Sequence, residues 1–368
     1  MKIRIFAILF TALIFAGCSA GDISVPLNEK EAAAAKAAGA DISSIEILKG
    51  KDLYKFSPEE VDQYLKFLQA YEPDLRNRII HLAKKNLGQP YQIYLLGEYP
   101  FEIYDDQPLY CIDKSDCVVF SEHIYAMALS GNWKQFFTML QRIRYKDGII
   151  SYMTRNHYTE ADWDINNSWL ITEITNDLVK DKAVKTTTKI NRAAFFKKYG
   201  IGQSVPVETI NWTYIAPQDV AGVIGQLQSG DFVNVVRGFG GEGDAYVGHV
   251  GLISKEPDGT INFIHSTEPQ VKEQTLLSYM NYSLELTAKR KIQNQEADQK
   301  NQEIMKYNKE LREKNGGVKH PDEKPLIRKE PYFYGFRFFR LNDNPMENLK
   351  KTDGPNAPRI TIYGNNLY

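Results

Sequence analysis

The segment from Cys117 to Leu129 is apolar almost all the way round a helical wheel: Val118, Val119, Phe120, Ile124, Met127, Ala128 and Leu129 leave no broad polar face. A helix of that kind has to be buried on nearly every side, so the rest of the chain must enclose it. What precedes it is helical. In Phe56-Ser57-Pro58-Glu59-Glu60, Ser57 can cap, Pro58 suits the first helical position and Glu60 completes a capping box. Val61, Leu65 and Leu68 continue one apolar face. Leu75 to Leu87 reads as a second amphipathic helix, closed by Gly88 and Pro90. Trp133 to Ile143 follows the apolar helix as another. From about Ile201 the pattern turns to short β-rich runs: Asp231 to Val236, His249 to Ile253 and Thr260 to His265. Tyr332 to Leu341 is a further strong strand. Helices first and strands afterwards predict an α+β fold.

Residues 288–330 break this order. They are rich in Lys, Glu, Gln and Asn, with sparse apolar positions. They read as a solvated helix or a disordered insertion, leaving a sheet that the chain later rejoins. At the other end, Lys2 and Arg4 precede an apolar run from Ile5 to Phe15, too short to span a bilayer as a helix. Small residues and Cys18 follow, the layout of a secretory signal. The expected organisation is a signal peptide over 1–17 and Cys18 with a tether over 18–50. One folded domain covers 51–345, and a tail covers 346–368. With 45 basic and 46 acidic residues the chain lacks the cationic excess of a dedicated nucleic-acid binder. Three cysteines cannot make a disulfide scaffold.

With Cys18 set aside, Cys111 and Cys117 remain. Cys117 opens the apolar helix directly after Asp116, which is placed to cap it. Unpaired N–H groups and the positive dipole end there favour a thiolate. A Cys111–Cys117 disulfide or an inert buried thiol are the alternatives. The histidines favour a nucleophile. His81 and His123 sit inside helices and His320 in the charged excursion. His249 and His265, sixteen positions apart, lie on successive short strands. Adjacent antiparallel strands bring both rings to one end of a sheet. A Cys-bearing helix packed over them aligns nucleophile, base and orienting group. A zinc site would need close ligand pairs that are absent here, so no metal and no cofactor are expected.

These residues resemble a known family. Gly88-Gln89-Pro90-Tyr91, Asp116-Cys117-Val118-Val119-Phe120, Gly230-Asp231-Phe232, Gly248-His249-Val250-Gly251 and Phe263-Ile264-His265-Ser266 are similar, in order and spacing, to the NlpC-type superfamily of papain-like bacterial cell-wall cysteine hydrolases. The resemblance spans roughly residues 78–270. It implies a papain-like fold, with Cys117 as nucleophile, His249 as base, His265 as orienter and Tyr91 beside the thiol. The stretch between Tyr91 and Cys117 is longer than in many members, and so is the segment between the Cys helix and Gly230. The latter, from Arg144 to Trp163, resembles a branch once filed as a domain of unknown function, whose members are N-acetylmuramoyl-L-alanine amidases preferring anhydro-muropeptides. Arg155 is expected to meet a substrate carboxylate, Trp163 to stack on a sugar, and Asn156 and His157 to hydrogen-bond it. Asp116 and Tyr91 complete the substrate side.

The lipobox-like end of the signal, Phe15-Ala16-Gly17-Cys18, implies an exported lipoprotein anchored in the membrane and facing the periplasm. The expected substrate is a peptidoglycan fragment, the chain acting as a monomer without nucleic acid. An endopeptidase cutting between D-Glu and the diamino acid would use the same catalytic residues. A non-catalytic wall-binding lipoprotein is the alternative outside enzymes.

Overall fold

A computed structural model describes residues 23–353. Cys18 and its lipidation lie outside the described residues. α3 (Pro58–Tyr71) starts as its sequence dictates: the Ser57 hydroxyl accepts the Glu60 N–H, and the Glu60 carboxylate accepts the Ser57 N–H at 2.7 Å. α4 (Leu75–Lys85), α5 (Cys117–Ala128) and α6 (Trp133–Arg144) follow close to their expected bounds.

α5 is the axis of the molecule. Every residue from Val119 to Ala128 is buried. α4 and α6 cover one side of it, and two strands of the main sheet cover the other. Its few polar side chains are all matched, as burial requires. Glu122 takes the Arg144 guanidinium at 3.2 Å and the Trp163 indole N–H at 3.1 Å. The Tyr125 hydroxyl donates to the Gly230 carbonyl at 2.9 Å, tying helix to sheet.

The main sheet has six strands: β1 (Ile171–Glu173), β4 (Phe232–Gly238), β5 (Tyr246–Lys255), β6 (Ile261–Thr267), β7 (Gln270–Thr275) and β8 (Tyr332–Leu341). Their order is β1-β8-β4-β5-β6-β7, and each neighbour is antiparallel. The last strand therefore enters the middle, between β1 and β4. β2 (Val184–Ile190) and β3 (Glu208–Tyr214) form a separate two-stranded ribbon. The architecture is α+β, as expected.

Two expectations about the flanks change. Residues 29–50 are not a loose tether. They form α1 (Glu29–Ala37) and α2 (Ile42–Gly50), capped by Asn28 and Asp41. Ala35 and Ile45 are fully enclosed in the main core, against α3. The alanines of α1 make a face small enough for close helix contact. The excursion likewise begins earlier than composition indicated. One helix of 39 residues, Leu276–Lys314, leaves the sheet, and the chain returns extended alongside it. Asn294, Asn301 and Asn308 each grip the returning backbone twice, at Glu330, Ile327 and Lys324. Seven helical residues advance about 10.5 Å. Three extended residues advance about 10 Å. The two repeats stay in step, so a heptad of asparagines holds an arm that has almost no core of its own.

Candidate active site

Cys117 is the first residue of α5. Asp116 caps it by accepting the Val118 and Val119 N–H groups at 2.9 and 2.8 Å. Cys117 faces β5 and is partly open to solvent. The neighbouring strands carry the histidines. His249 Nε2 and His265 Nδ1 are 2.7 Å apart. Gly251 makes this possible, because a Cβ there would come within 2.9 Å of the His265 Cβ and 2.6 Å of the Ile264 carbonyl. The Val250 N–H, next to His249, acts on the Cys117 sulfur and holds its pKa down. Thiol and imidazole are not themselves hydrogen-bonded in this geometry, a separation common in unliganded sites.

The resting electrostatics differ from the expectation of a thiolate. Burial, and then the Asp116 carboxylate, push the Cys117 thiol up to about 12. The Val250 and Val118 N–H groups and the Arg237 charge pull the other way. Burial drives His249 well below its usual value, with His265 and Arg237 adding to it. His265 falls to about 3, through burial and then Lys272. Burial thus opposes the charged form of each group. Helix position alone cannot offset the loss of solvent around the sulfur.

Sequence reasoning missed four neighbours. The Gln274 amide lies 3.1 Å from His265 Nε2. The amide nitrogen is the end that faces the ring here; with the amide turned over, His265 Nε2–H donates to the Gln274 oxygen and His249 Nε2–H donates to His265 Nδ1. His249 Nδ1 is then left with a free lone pair for the thiol proton. Tyr279, in the first turn of the long helix, roofs the pair: its ring lies 6.1 Å from His249, nearly parallel, and 5.2 Å from His265, edge-on. Ser115 and Ser266 exchange hydrogen bonds at 2.9 Å, bracing the entry to α5 against the end of β6. None of these residue types is diagnostic in a sequence, since their meaning comes from register.

Tyr91 enters the site through the backbone. It bridges in parallel to Ser115 and donates its N–H to the Pro269 carbonyl at 2.9 Å. Burial, and then Cys117 and Asp116, raise its phenol to about 12. Because Pro90 and Tyr91 pair with Gln270 and Ser115, the long 92–114 stretch leaves and returns at one point. Its length therefore does not move Tyr91 from the thiol.

The four residues expected to handle a sugar are instead consumed by the fold. Arg155 pairs with Asp105 at 3.0 Å and Glu98 at 3.4 Å. Asn156 donates to the Ile143 carbonyl and accepts from Asn166. His157 bonds the Tyr152 carbonyl at 2.6 Å and is packed among Tyr152, Phe195 and Phe196. Trp163 is 1% exposed and stacks on Phe232 at 4.5 Å. They anchor the segment between helix and sheet. Asp116 is likewise a helix cap rather than a substrate contact. Cys111 is free, its thiol bonded to Asp113 and raised to about 11 by burial and that carboxyl, so the alternative disulfide is not formed.

Residues 81–285, more than half of the chain, match the AmiA-like family model, described as N-acetylmuramoyl-L-alanine amidase-like. The chain belongs to that family. The match runs from α4 through the Cys helix and both histidine strands to the third turn of the long helix. It supports a peptidoglycan amidase kind of function, acting on peptidoglycan-derived material. A Legionella pneumophila protein of the DUF1460 family superposes with a TM-score of 0.58 at 17% identity, over 77% of this chain and 94% of its own. That likeness is one of fold. An N-acetylmuramoyl-L-alanine amidase from Bacteroides uniformis aligns over 73% of this chain and 99% of its own, at 19% identity and a TM-score of 0.47. No curated protein sequence matches the chain.

Proposed function

We propose that this AmiA-like protein hydrolyses the amide between the lactyl group of N-acetylmuramic acid and the first L-Ala of the stem peptide. Its substrates are soluble peptidoglycan fragments with an anhydro sugar, cut by cysteine covalent catalysis on a papain-like framework. The observation that carries this reading is Cys117 at the head of a buried helix beside the hydrogen-bonded His249–His265 pair, inside the region matched by the family.

His249 Nδ1 takes the Cys117 proton as sulfur attacks the lactyl carbonyl carbon. His265 and Gln274 hold the imidazole in the accepting tautomer. Asp116 occupies the Val118 and Val119 N–H groups, which leaves the Cys117 N–H as the free donor of the first turn. It is positioned to bind the oxyanion. The imidazolium returns its proton to the departing L-Ala amine, and water, deprotonated by His249, releases the acyl group from sulfur. Export and lipidation at Cys18 belong to the same reading and rest on the signal-like N-terminus.

The endopeptidase alternative uses the same trio, and the segment from Arg155 to Trp163 no longer argues between the two. The family match favours the amidase. Mass spectrometry of products from defined muropeptides, with and without the anhydro sugar, tests it. Release of intact stem peptide is the expected result. Efficient cutting of sugar-free L-Ala–D-Glu–diamino-acid peptides would transfer the assignment to the endopeptidase.

A further inference from the structure

Arg237 differs from most guanidiniums drawn into the fold, which meet carboxylates or, like Arg78, backbone carbonyls. Arg144 is matched by Glu122, Arg337 by Asp164 and Glu173, and Arg340 by Asp231. Among the described residues, Arg237 has no carboxylate within ion-pair distance. The group its charge acts on is a neutral phenol, Tyr279, the residue that roofs the histidines. A half-buried cation without a counter-ion is costly, so its place requires a reason.

The backbone is built around it. Arg237 is the sixth residue of β4, and the ladder is irregular on both sides of it. Register shifts between Val235 and Val236 against β5, and between Val236 and Arg237 against β8. Bulges of this kind re-aim a side chain. The Arg237 stem then lies across Gly248: a Cβ on Gly248 would fall 2.6 Å from its Cδ and 3.1 Å from its Cγ. Any other residue before His249 would push the guanidinium away. Its charge bears on Cys117, Tyr91, His249 and Tyr246.

We propose that Arg237 is the anion anchor of the substrate cleft, binding the free α-carboxylate of the second stem residue, D-Glu, on the leaving-group side of the scissile amide. The inference rests on the amidase reading, in which that carboxylate is the nearest one to the bond cut. A guanidinium whose stem lies over a glycine cradle presents its fork to a planar carboxylate. The residue is a binding and specificity residue, and takes no proton.

The test compares two anhydro-muropeptides that differ only at that group, carboxylate against carboxamide. The parent enzyme is expected to prefer the carboxylate in kcat/KM by about 100-fold. Arg237→Gln should reduce turnover of the carboxylate substrate to the level of the carboxamide and abolish the preference. Arg237→Lys, which keeps charge and stem but loses the fork, should retain about a tenfold preference. An unchanged preference in Arg237→Gln would overturn the proposal. So would equal losses on both substrates with a shift in the pH dependence of Cys117 alkylation, which would make Arg237 a modulator of the thiol. If the parent cuts neither compound, the amidase reading fails separately. The anchor is then read by calorimetry on Cys117→Ala with L-Ala–D-Glu stem peptides, carboxylate against amide, and equal affinity would overturn it.

Discussion

At the scale of single residues, the cleft couples two groups that are each reluctant to ionise. The thiol is raised to about 12 and the imidazole lowered well below its ordinary value, so burial disfavours a resting ion pair. Thiolate fraction then grows tenfold per pH unit over the whole accessible range. Alkylation of Cys117 by iodoacetamide should therefore rise about 100-fold between pH 7 and pH 9, following the thiolate population. A rate plateau below pH 7 would mean a preformed thiolate–imidazolium pair. Cys117→Ala should abolish hydrolysis while leaving the melting temperature within about 2 °C, since the side chain sits at the rim of the core. Cys111→Ala should keep most activity. Gln274→Leu should lower kcat about tenfold by releasing the histidine tautomer, whereas Gln274→Glu, still an acceptor for His265 Nε2–H, should recover much of it. Equal loss in both Gln274 variants would count against the tautomer chain.

At the scale of elements, the segment between the Cys helix and the sheet is a clamp. Trp163 fills the space between Phe232 and Glu122, and Arg155 pins the 92–114 loop through Glu98 and Asp105. Trp163→Ala should cost about 3–5 kcal/mol of stability, read by denaturant unfolding, because it opens a cavity and strips Glu122 of a donor. Loss of activity at unchanged stability would restore a substrate-binding role. The asparagine ladder invites a different measurement. Asn301→Ala with Asn308→Ala should speed hydrogen exchange in residues 318–327 without moving global unfolding, since those bonds hold only the arm.

At the scale of the molecule, the arm and the core are energetically separate. Beyond Ala297 the long helix buries little, whereas its first turn places Leu276, Tyr279 and Met280 against the sheet. Replacing residues 301–327 by a short Gly-Ser turn should change the melting temperature by less than about 3 °C. Truncation from Leu276 onward should unfold the protein, because it removes β8 from the middle of the sheet and Tyr279 from above the histidines. Circular dichroism and thermal melts of the two forms check this.

Much of this architecture was legible in the chain. Capping boxes, helical periodicity and alternating strands act over a few residues, so Ser57–Glu60, α4 to α6 and the strands of His249 and His265 could be read where they stand. The approach of Cys117 to the histidines could also be read, because an all-round apolar helix has nowhere to go but onto the sheet. What the tertiary structure alone decided is who meets whom at long range. Whether Arg155 faces solvent or Asp105, whether Trp163 meets a sugar or Phe232, and whether an alanine run hangs free or packs on α3 depend on partners 15 to more than 60 positions away. The β4 bulge that turns Arg237 into the cleft leaves no trace in composition or period. Burial reversed the thiol's expected ionisation for the same reason: desolvation is a property of everything packed around a group, and no local stretch of sequence contains it.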